Sequence, residues 1–420
     1  MIKDQFTADP TARLFNGKIY VYPSHDIVPP EGEGRAGWFN MADYHVFSSA
    51  DLVTWEDHGV ILSQKEVPWA DKDAYSMWAP DAVEKNGKYY FYFPTRGKGA
   101  GNGEGGFSIG VATADKPEGP FIPQEEPIQG VTGIDPNVFI DKDGQAYLYW
   151  SQGKIYGARL QGNMLSLASD PIIFRELPQE GHIEGPFVFE REGIYYLTYP
   201  HVANKIERLE YATGNDPLGP FTPQGVIMDE SDSGTWTNHH SITEFKDQWI
   251  LFYHDNDLSP DFDKNRSIKA DSLFFNKDGS IQKVIPSLRG VGVTDATQKI
   301  EIDRYSGKSP DASVAFIEPE DTFKGWYIAL NSNEWVQYNQ VEFPEGLKKV
   351  KIRASSGSGG VLQLRLKNVK GPVISEITVP ENKGWTIIEA KLQNYTPGKH
   401  NLVVVVKQNA AKVDWVSFSK

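Results

Sequence analysis

The 420-residue chain contains no cysteine. This absence excludes disulfides, thiolate metal sites and cysteine nucleophiles, but it leaves the redox compartment open because a cysteine-free protein folds in either. The chain also lacks an apolar run of about 18 residues, the length that a membrane-spanning helix requires. Its most notable apolar run, residues 402–406, has only the length of a strand.

Positive charge is comparatively scarce. The chain has 42 Lys and Arg against 56 Asp and Glu, which gives a formal net charge of −14. We therefore expect no nucleic-acid partner, because sequence-independent binding needs a basic surface. Residues 1–10 are too polar for a signal peptide, so we expect either a cytoplasmic protein or one whose signal was removed before this numbering begins.

Aromatic residues and turn formers are abundant. Aromatics make up 12% of the chain, and there are 39 Gly and 27 Pro. This combination is typical of short strands joined by tight turns, and no sustained helical periodicity is present. The composition predicts an all-β protein.

A turn followed by an aromatic strand recurs five times. The copies are Asn16–Tyr22, Asn86–Tyr92, Asp143–Tyr149, Glu192–Tyr199 and Asp247–Tyr253. An Asn-Gly or Asp-Gly turn before such a run is a strong hairpin signal. Each copy has a strand-like segment before it and further strand-like segments after it, so each repeat has the size of a propeller blade. We predict a five-bladed β-propeller over residues 1–287. A single β-sandwich would not explain five copies in the same internal order.

The pattern changes after the fifth repeat. We expect a linker at residues 288–295 and a second domain at residues 296–420. Alternating segments such as 350–354 and 360–366 in this region indicate a β-sandwich of the jelly-roll type.

Three acids and a histidine occupy equivalent places in the repeats. Asp9, Asp135, Glu184 and His240 each lie eight or nine residues before the turn positions that we assign, at 17, 144, 193 and 248. In a propeller these positions converge near the axis, where like charges raise at least one pKa. An isolated Asp-Pro is commonly a turn. The set in register instead favours acid–base chemistry.

Paired carboxylates and many aromatics together suit glycoside hydrolysis. One acid has to stay protonated for the leaving oxygen, while another stays ionised to activate water. Aromatic rings offer flat faces on which sugars stack. The candidates for such a platform are Trp38, Phe39, Trp78 and Trp236, each of which is also a plausible packing residue.

The first 287 residues resemble glycoside hydrolase family 43. The motifs that carry the resemblance are Ala8-Asp9-Pro10, Tyr20–Asp26, Met77–Asp81, Gly133–Asn137, Glu184–Phe187, His239–Ile242 and Asn265–Ser267. The resemblance implies an inverting mechanism, with Asp9 as general base, Glu184 as general acid and Asp135 as the residue that tunes the acid. It also implies that no cofactor is needed for the chemistry.

The resemblance further implies a substrate site. Arg266 is similar to an arginine that reaches the sugar, and Trp78 and Phe39 are the expected aromatic contacts. His240 resembles an axial histidine that contacts substrate or lies beside a calcium ion or a water, with a hydrogen-bonded core histidine as the alternative. We expect the glycine-rich segments 29–34 and 96–106 to surround the site.

The implied activity is that of an α-L-arabinofuranosidase or a β-D-xylosidase on arabinose- or xylose-containing plant polysaccharides or oligosaccharides. Two alternatives remain open: an endo-acting xylanase or arabinanase of the same family, and a sugar-binding propeller without catalysis. The second alternative predicts the loss of a catalytic acid, yet all three acids are present.

The C-terminal domain resembles carbohydrate-binding module family 6. The matching segments are Lys299–Asp303, Glu334–Tyr338, Lys383–Trp385 and Val413–Phe418. The resemblance implies a structural calcium ion held by Glu301, Asp303 and Asp414, since hard oxygen ligands suit that ion. Lys412 and Ile388 depart from the family pattern for sugar contacts, so this domain instead braces the propeller if it does not bind sugar. A module of this kind favours a secreted or periplasmic protein over a cytoplasmic one.

Overall fold

The computed structural model describes residues 1–100 and 106–420. It confirms the predicted all-β class, and the described residues contain two short 3₁₀ helices, at Gln64–Glu66 and Thr322–Lys324. The chain forms two compact units. The first comprises Met1–Ala50 and Thr54–Ile285, and the second comprises Pro286–Lys420 together with Asp51–Val53.

The first unit contains five antiparallel sheets in which the strands follow chain order. The first two sheets are β1 (Phe6–Phe15), β2 (Lys18–Asp26), β3 (Asp43–Ser49) and β4 (Glu56–Ser63), then β5 (Asp81–Lys85), β6 (Lys88–Arg96), β7 (Phe107–Ala114) and β8 (Ile122–Pro123). The third sheet is β9 (Ile134–Ile140), β10 (Ala146–Ser151), β11 (Ile155–Arg159) and β12 (Ile172–Ile173). The last two sheets are β13 (Phe187–Arg191), β14 (Ile194–Val202), β15 (Glu207–Gly214) and β16 (Thr222–Met228), then β17 (His240–Phe245), β18 (Gln248–Asp255) and β19 (Ser267–Leu273).

The repeated turns join the first and second strands of the sheets, as the sequence predicts. Asn16 and Gly17 both have positive φ, 51° and 77°, which is the conformation of a type I′ hairpin turn. In the fifth sheet Lys246 and Asp247 hold these positions, with φ of 52° and 59°, and Gln248 already belongs to β18. The predicted turn position 248 is therefore one residue too late.

Hydrogen bonds between neighbouring sheets form a closed circuit. They run from Thr11 to Pro80, from Val138 to Asp81, from Val188 to Asn137, from His240 to Thr198 and from Ala12 to Ser241. The last of them returns from the fifth sheet to the first. Because the first strands β1, β5, β9, β13 and β17 face one another in this circuit, residues at their starts come together.

The second unit is a sandwich of two six-stranded sheets, which fits the predicted β-sandwich. One sheet contains β20 (Thr294–Asp295), β22 (Gly307–Lys308), β25 (Trp335–Phe343), β27 (Gly360–Leu366), β28 (Val373–Val379) and β30 (Gly398–Gln408). The other contains β21 (Ile300–Glu301), β23 (Ser313–Phe316), β24 (Trp326–Leu330), β26 (Lys349–Ser356), β29 (Asn382–Lys391) and β31 (Ala411–Ser419). The predicted linker 288–295 lies within this unit, where β20 pairs in parallel with β25.

In the described part of the chain, no helix has the length and apolar character needed to cross a membrane.

Buried Asp81, in the second sheet, joins three neighbouring sheets of the circuit. Its carboxylate accepts hydrogen bonds from Arg13, from the Asn137 amide and from the Val138 backbone N–H. We predict that Asp81→Ala lowers the free energy of unfolding by about 3–5 kcal/mol, because it leaves a partly buried guanidinium unpaired. Urea denaturation of the full chain measures this.

The matched control is Lys18→Ala, which removes an exposed pair with Glu56 at 3.9 Å and should cost less than about 0.5 kcal/mol. A loss for Asp81→Ala no larger than that of the control would contradict the anchoring role.

Candidate active site

A pocket of about 330 Å³ opens where the first strands begin. It is lined by the three predicted catalytic acids, Asp9, Asp135 and Glu184, and by three of the four predicted substrate contacts, Arg266, Trp78 and Phe39. Further walls come from Arg35, Trp38, Met41, Ala79, Arg96, Ile134, His182, Trp236, Thr237, Asn238 and His239. The predicted rim segment 96–106 contributes Arg96, while residues 101–105 lie outside the described part of the chain.

Asp9 and Asp135 share an unusual backbone conformation. Both precede a proline and both have positive φ, 47° for Asp9 and 55° for Asp135. Such angles are uncommon for residues other than glycine, and they concentrate at functional sites. The β1–β2 ladder also shifts register between Ala8 and Thr11, and an irregularity of this kind re-aims a side chain.

Two side chains hold the Asp9 carboxylate, and a third contacts the backbone of Asp9. Oδ1 accepts a hydrogen bond from Nη1 of Arg266 at 2.8 Å, and Oδ2 accepts one from the Ser24 hydroxyl at 2.7 Å. The backbone N–H of Asp9 donates to Nδ1 of His254 at 3.0 Å. Burial alone would raise the pKa of Asp9, but the Arg266 guanidinium outweighs it, with help from the neighbouring histidines and Ser24, and lowers that pKa to about 2. Asp9 is therefore ionised at neutral pH.

Arg266 is itself fixed by a second buried carboxylate. Its Nε and Nη2 donate to the two oxygens of Asp26, each at 2.9 Å. Burial raises the pKa of Asp26 even though Arg266 opposes the rise. The guanidinium also lies over the Phe39 ring, 4.6 Å from its centroid. It therefore has little freedom to leave Asp9.

Glu184 lies in a cluster with His182 and Glu207, whose ligating atoms all fall within 4.8 Å of one another. Glu184 accepts a hydrogen bond from Nε2 of His182 at 3.0 Å. Glu207 is almost completely buried, and the Asn238 backbone N–H donates to it.

The two glutamates of this cluster titrate as a pair. Burial and the adjacent Glu184 raise the pKa of Glu207 well above its ordinary value. Burial would raise the pKa of Glu184, but the hydrogen bond and charge of His182, the hydrogen bond from Glu207 and the charge of His239 lower that pKa on balance. Two carboxylates this close and this buried do not both ionise at neutral pH, so they hold one proton between them. The raised pKa favours Glu207 as the protonated member, while Glu184 is the member that lines the pocket.

Asp135 connects the acid to the rest of the pocket. It accepts a hydrogen bond at 3.0 Å from the backbone N–H of Gly185, directly after Glu184. Its charge is one of those that raise the pKa of Glu207. Asp135 therefore lies beside the acid, and its role in tuning Glu184 stays a prediction.

The histidine on the pocket wall is His239. Burial lowers its pKa, although the charges of Asp9 and Glu184 act in the opposite direction, so the ring is within reach of both. His240 is completely buried behind it and bonds Thr198 Oγ1 through Nε2 at 2.5 Å. The prediction that His240 contacts substrate is corrected: a ring with no exposed surface does not reach a sugar in the pocket.

The aromatic residues both pack and line the site. Phe39 and Trp78 lie 6.2 Å apart at 74°, and Trp78 lies 4.5 Å from Phe107. Trp236, by contrast, is 37% exposed and lines the pocket.

In the second unit the three predicted calcium ligands lie near one another, because the charges of Glu301 and Asp414 help burial to raise the pKa of Asp303 to about 8. Among the described residues, Glu301, Asp303 and Asp414 are not one of the groups that place three ligating atoms within 4.8 Å. Asp414 instead pairs with Arg353, and Asp303 lies 3.7 Å from Arg304. A calcium site with these ligands is therefore not preformed.

The packing of aromatic rings in the second unit also restricts the surfaces on which a sugar could stack. The rings of Tyr327 and Trp385 meet edge to face at 5.4 Å. Lys412 lies 4.6 Å from the Tyr327 centroid, and Arg353 lies 4.9 Å from that of Trp385. Cations thus occupy ring faces on which a sugar would stack.

The sequence indicated no role for His182 or Glu207, and it showed Asp26 only as the last residue of the motif Tyr20–Asp26. His182 precedes Glu184 by two residues, so a search for imidazoles beside the acid would have found it. Glu207 begins β15, a third strand of its sheet, and no repeat register indicates it.

Comparison with known proteins agrees with this geometry. The family model for glycosyl hydrolases family 43 matches residues 2–281, and that for carbohydrate binding module (family 6) matches residues 318–420. A xylosidase/arabinosidase 43A from Humicola insolens is 39% identical over 67% of this chain and 97% of its own length.

Two solved structures show the same relationship. A family 43 beta-xylosidase/alpha-arabinofuranosidase from a compost microbial metagenome, in complex with xylotriose, is 36% identical and matches with a TM-score of 0.59 over 67% of this chain and 96% of its own. An arabinoxylan arabinofuranohydrolase from Bacillus subtilis, in complex with cellotetraose, is 25% identical and matches with a TM-score of 0.58 over 100% of this chain and 96% of its own.

The Arg266–Asp9 pair generates a prediction about pH dependence. Because the pKa of Asp9 is about 2, the carboxylate stays ionised as pH falls until it approaches that value, and Asp9 does not limit activity near neutral pH. Arg266→Gln removes the cation while burial remains, so the acidic limb of kcat/KM should move to higher pH. Ser24→Ala should move it less, in the same direction.

Arg35→Gln is the control, because Arg35 lies at the pocket wall against Trp38. Its acidic limb should match that of the unmodified protein. An unchanged acidic limb in folded Arg266→Gln would show that the guanidinium does not set the charge of Asp9.

The Glu184–Glu207 pair generates a prediction for the alkaline limb. In Glu207→Gln the second carboxyl group is lost, so no proton is shared with Glu184. Glu184 still lies beside His182, which lowers the pKa of Glu184. The alkaline limb should therefore move to lower pH on unactivated glycosides. Nitrophenyl glycosides should be affected far less, since their leaving groups need little protonation.

Glu210→Gln is a matched control in the same strand, where Glu210 pairs with His201 and Arg208. If Glu207→Gln and Glu210→Gln give the same alkaline limb, the shared proton plays no part in catalysis.

Proposed function

The chain belongs to glycosyl hydrolases family 43, and from that membership we propose that it is an inverting exo-glycosidase that releases single xylose or arabinose units from plant glycans or their oligosaccharides. The observation that carries the proposal is the electrostatic contrast in one pocket. Asp9 is held ionised by a buried guanidinium, while the Glu184–Glu207 pair retains a proton.

This contrast supplies the two groups that inversion needs. Glu184 donates the proton of the pair to the glycosidic oxygen as the bond from that oxygen to the anomeric carbon breaks. Asp9 removes a proton from a water molecule, whose oxygen attacks the anomeric carbon from the opposite face. The sugar leaves with inverted configuration, and the proton on Asp9 returns to solvent as Glu184 is reprotonated.

The substrate class rests on the relatives and on the size of the pocket. The relatives at 35–39% identity are named xylosidase/arabinosidase or beta-xylosidase. A volume of about 330 Å³ is at the small end for a ligand pocket, which favours one terminal sugar over a long segment of polymer. Trp236, partly exposed in the pocket lining, supplies a stacking face for the next sugar ring.

A calcium ion or a water beside His240 forms part of the proposal. The Nδ1 atom of this buried imidazole has no hydrogen-bond partner among the described residues, and burial holds its pKa well below the ordinary value. A neutral ring with an unused lone pair fits either occupant. The ion would add positive charge behind the pocket floor, whereas the acid–base chemistry itself needs no cofactor. The compost β-xylosidase/α-arabinofuranosidase structure is a calcium-free form.

We place the protein outside the cytoplasm, in the periplasm or the medium. The support for this location is the module attached to the propeller and the polymeric origin of the substrate. The sugar contacts of that module are restricted by Lys412 and Arg353, so the binding of the glycan is assigned to the propeller pocket.

The endo-acting alternative and the non-catalytic alternative make different predictions for products. An endo-acting enzyme releases a ladder of oligosaccharides, and a sugar-binding propeller releases nothing. The small pocket disfavours the former, and the complete set of Asp9, Asp135 and Glu184 disfavours the latter.

The test is a product analysis on arabinoxylan, arabinan and xylo-oligosaccharides. We predict free xylose or free arabinose, and we predict that Glu184→Gln lowers turnover on these unactivated substrates by about 10²–10⁴-fold while the fold is retained. The free sugar that appears decides between xylosidase and arabinofuranosidase activity.

Glu190→Gln serves as a control for the loss of a glutamate, because Glu190 lies at the far end of β13 from the pocket. An oligosaccharide ladder would overturn exo action, and full activity of Glu184→Gln would overturn the acid assignment.

A further inference from the structure

A second cluster of ligand-type side chains lies outside the pocket, on the first sheet. His25, Asp43 and His45 each place a ligating atom so that all three atoms lie within 4.8 Å of one another. His25 Nδ1 lies 2.7 Å from Asp43 Oδ1, and the two imidazole centroids are 4.8 Å apart. The cluster has no part in the glycosidase chemistry described above.

The strand register explains why these three residues meet. β2 and β3 are antiparallel, and Ser24 pairs with Tyr44, which sets His25 beside Asp43. Asp43 and His45 are two residues apart on β3, so their side chains project from the same face of the sheet. The sequence pattern that produces the cluster is a histidine on one strand and Asp-x-His on its neighbour.

The imidazole of His45 contacts a carboxylate through one ring nitrogen, as metal-binding histidines commonly do. Nδ1 of His45 lies 3.0 and 3.2 Å from the two oxygens of Asp57. The Asp57 carboxylate is fixed in turn by the Gly59 backbone N–H and the Gln5 amide. Histidine ligands commonly donate one ring N–H to a carboxylate in this way, which leaves the other nitrogen for the metal.

From these contacts we propose that His25, Asp43 and His45 form a binding site for a divalent transition metal of the zinc type. Two imidazoles and a carboxylate suit Zn²⁺ and its neighbours, whereas Ca²⁺ and Mg²⁺ prefer oxygen ligands. The three side chains are 15–22% exposed, so the ion can enter from solvent and keep a water as its fourth ligand.

The site is separate from the catalytic pocket, but it is one residue away from the groups that hold the base. Ser24 and Asp26, which flank His25 on β2, bond Asp9 and Arg266. Because side chains alternate along a strand, His25 projects from the opposite face of the sheet. A bound ion would therefore join β2 to β3 behind the base without contact with the substrate.

The experiment is a titration of the full chain with ZnCl₂, followed by calorimetry, after chelator treatment and dialysis. The active-site group His182, Glu184 and Glu207 is a second cluster that can take zinc. The titration is therefore carried out in the His182→Gln background, alone and combined with His45→Gln, Asp57→Asn or His58→Gln.

We expect one Zn²⁺ per chain in His182→Gln and an upward shift of the thermal unfolding midpoint when zinc is added. His45→Gln should abolish both, and Asp57→Asn should weaken binding by about 10–100-fold because it removes the partner that orients His45. His58→Gln should bind as the parent does, since His58 lies on the same sheet and bonds Ser48 instead. Equal thermal unfolding of all variants in chelator shows that the fold is intact.

Two outcomes would overturn the proposal. One is zinc binding that survives His45→Gln unchanged. The other is binding that is present in the unmodified protein but lost in His182→Gln alone, which would assign the ion to the active-site cluster. Co²⁺ in place of Zn²⁺ gives an independent readout, because its visible absorption should change in His45→Gln and not in His58→Gln. Added CaCl₂ should not displace either ion.

Discussion

The ion pairs of Arg266 connect the fold to the chemistry. Arg266 directly precedes β19 of the last sheet of the first unit, while Asp9 and Asp26 belong to β1 and β2 of the first sheet. A buried guanidinium is costly to desolvate, and here two carboxylates and an aromatic ring compensate for that cost. The same contacts join the last sheet to the first and keep the Asp9 carboxylate ionised. The site exists only when the circuit of sheets is closed.

The acid side of the pocket has the opposite electrostatics to the Asp9 side. Glu184 and Glu207 lie together in a buried place, so that the pair retains a proton. Two carboxyl groups with different environments thus take different roles, which is the general means by which one site holds both an acid and a base at neutral pH. The ring of His239 interacts with both environments, because the charges of Asp9 and Glu184 both act to raise its pKa against the effect of burial.

Much of the architecture could be predicted from sequence because the hairpin signal is local. Asn-Gly and Asp-Gly turns set the register of the first three sheets and Glu192-Gly193 that of the fourth, and this register brought Asp9, Asp135 and Glu184 to one pocket. The histidine was misplaced because the fifth turn lacks glycine. With the turn at Asp247, the residue eight positions earlier is His239, the one on the pocket wall. Asp26 and Glu207 lie on second and third strands and act through partners that are distant in sequence, so no local pattern shows their roles.

The central claim is that an ionised Asp9 activates water while Glu184 protonates the leaving oxygen. The most direct test is ¹H NMR of the first product formed from a β-xyloside or an α-arabinofuranoside, recorded before the free sugar mutarotates. The account predicts that the anomer released first has the configuration opposite to that of the substrate. Release of the retained anomer would contradict it, because Asp9 would then act as a nucleophile and not as a base.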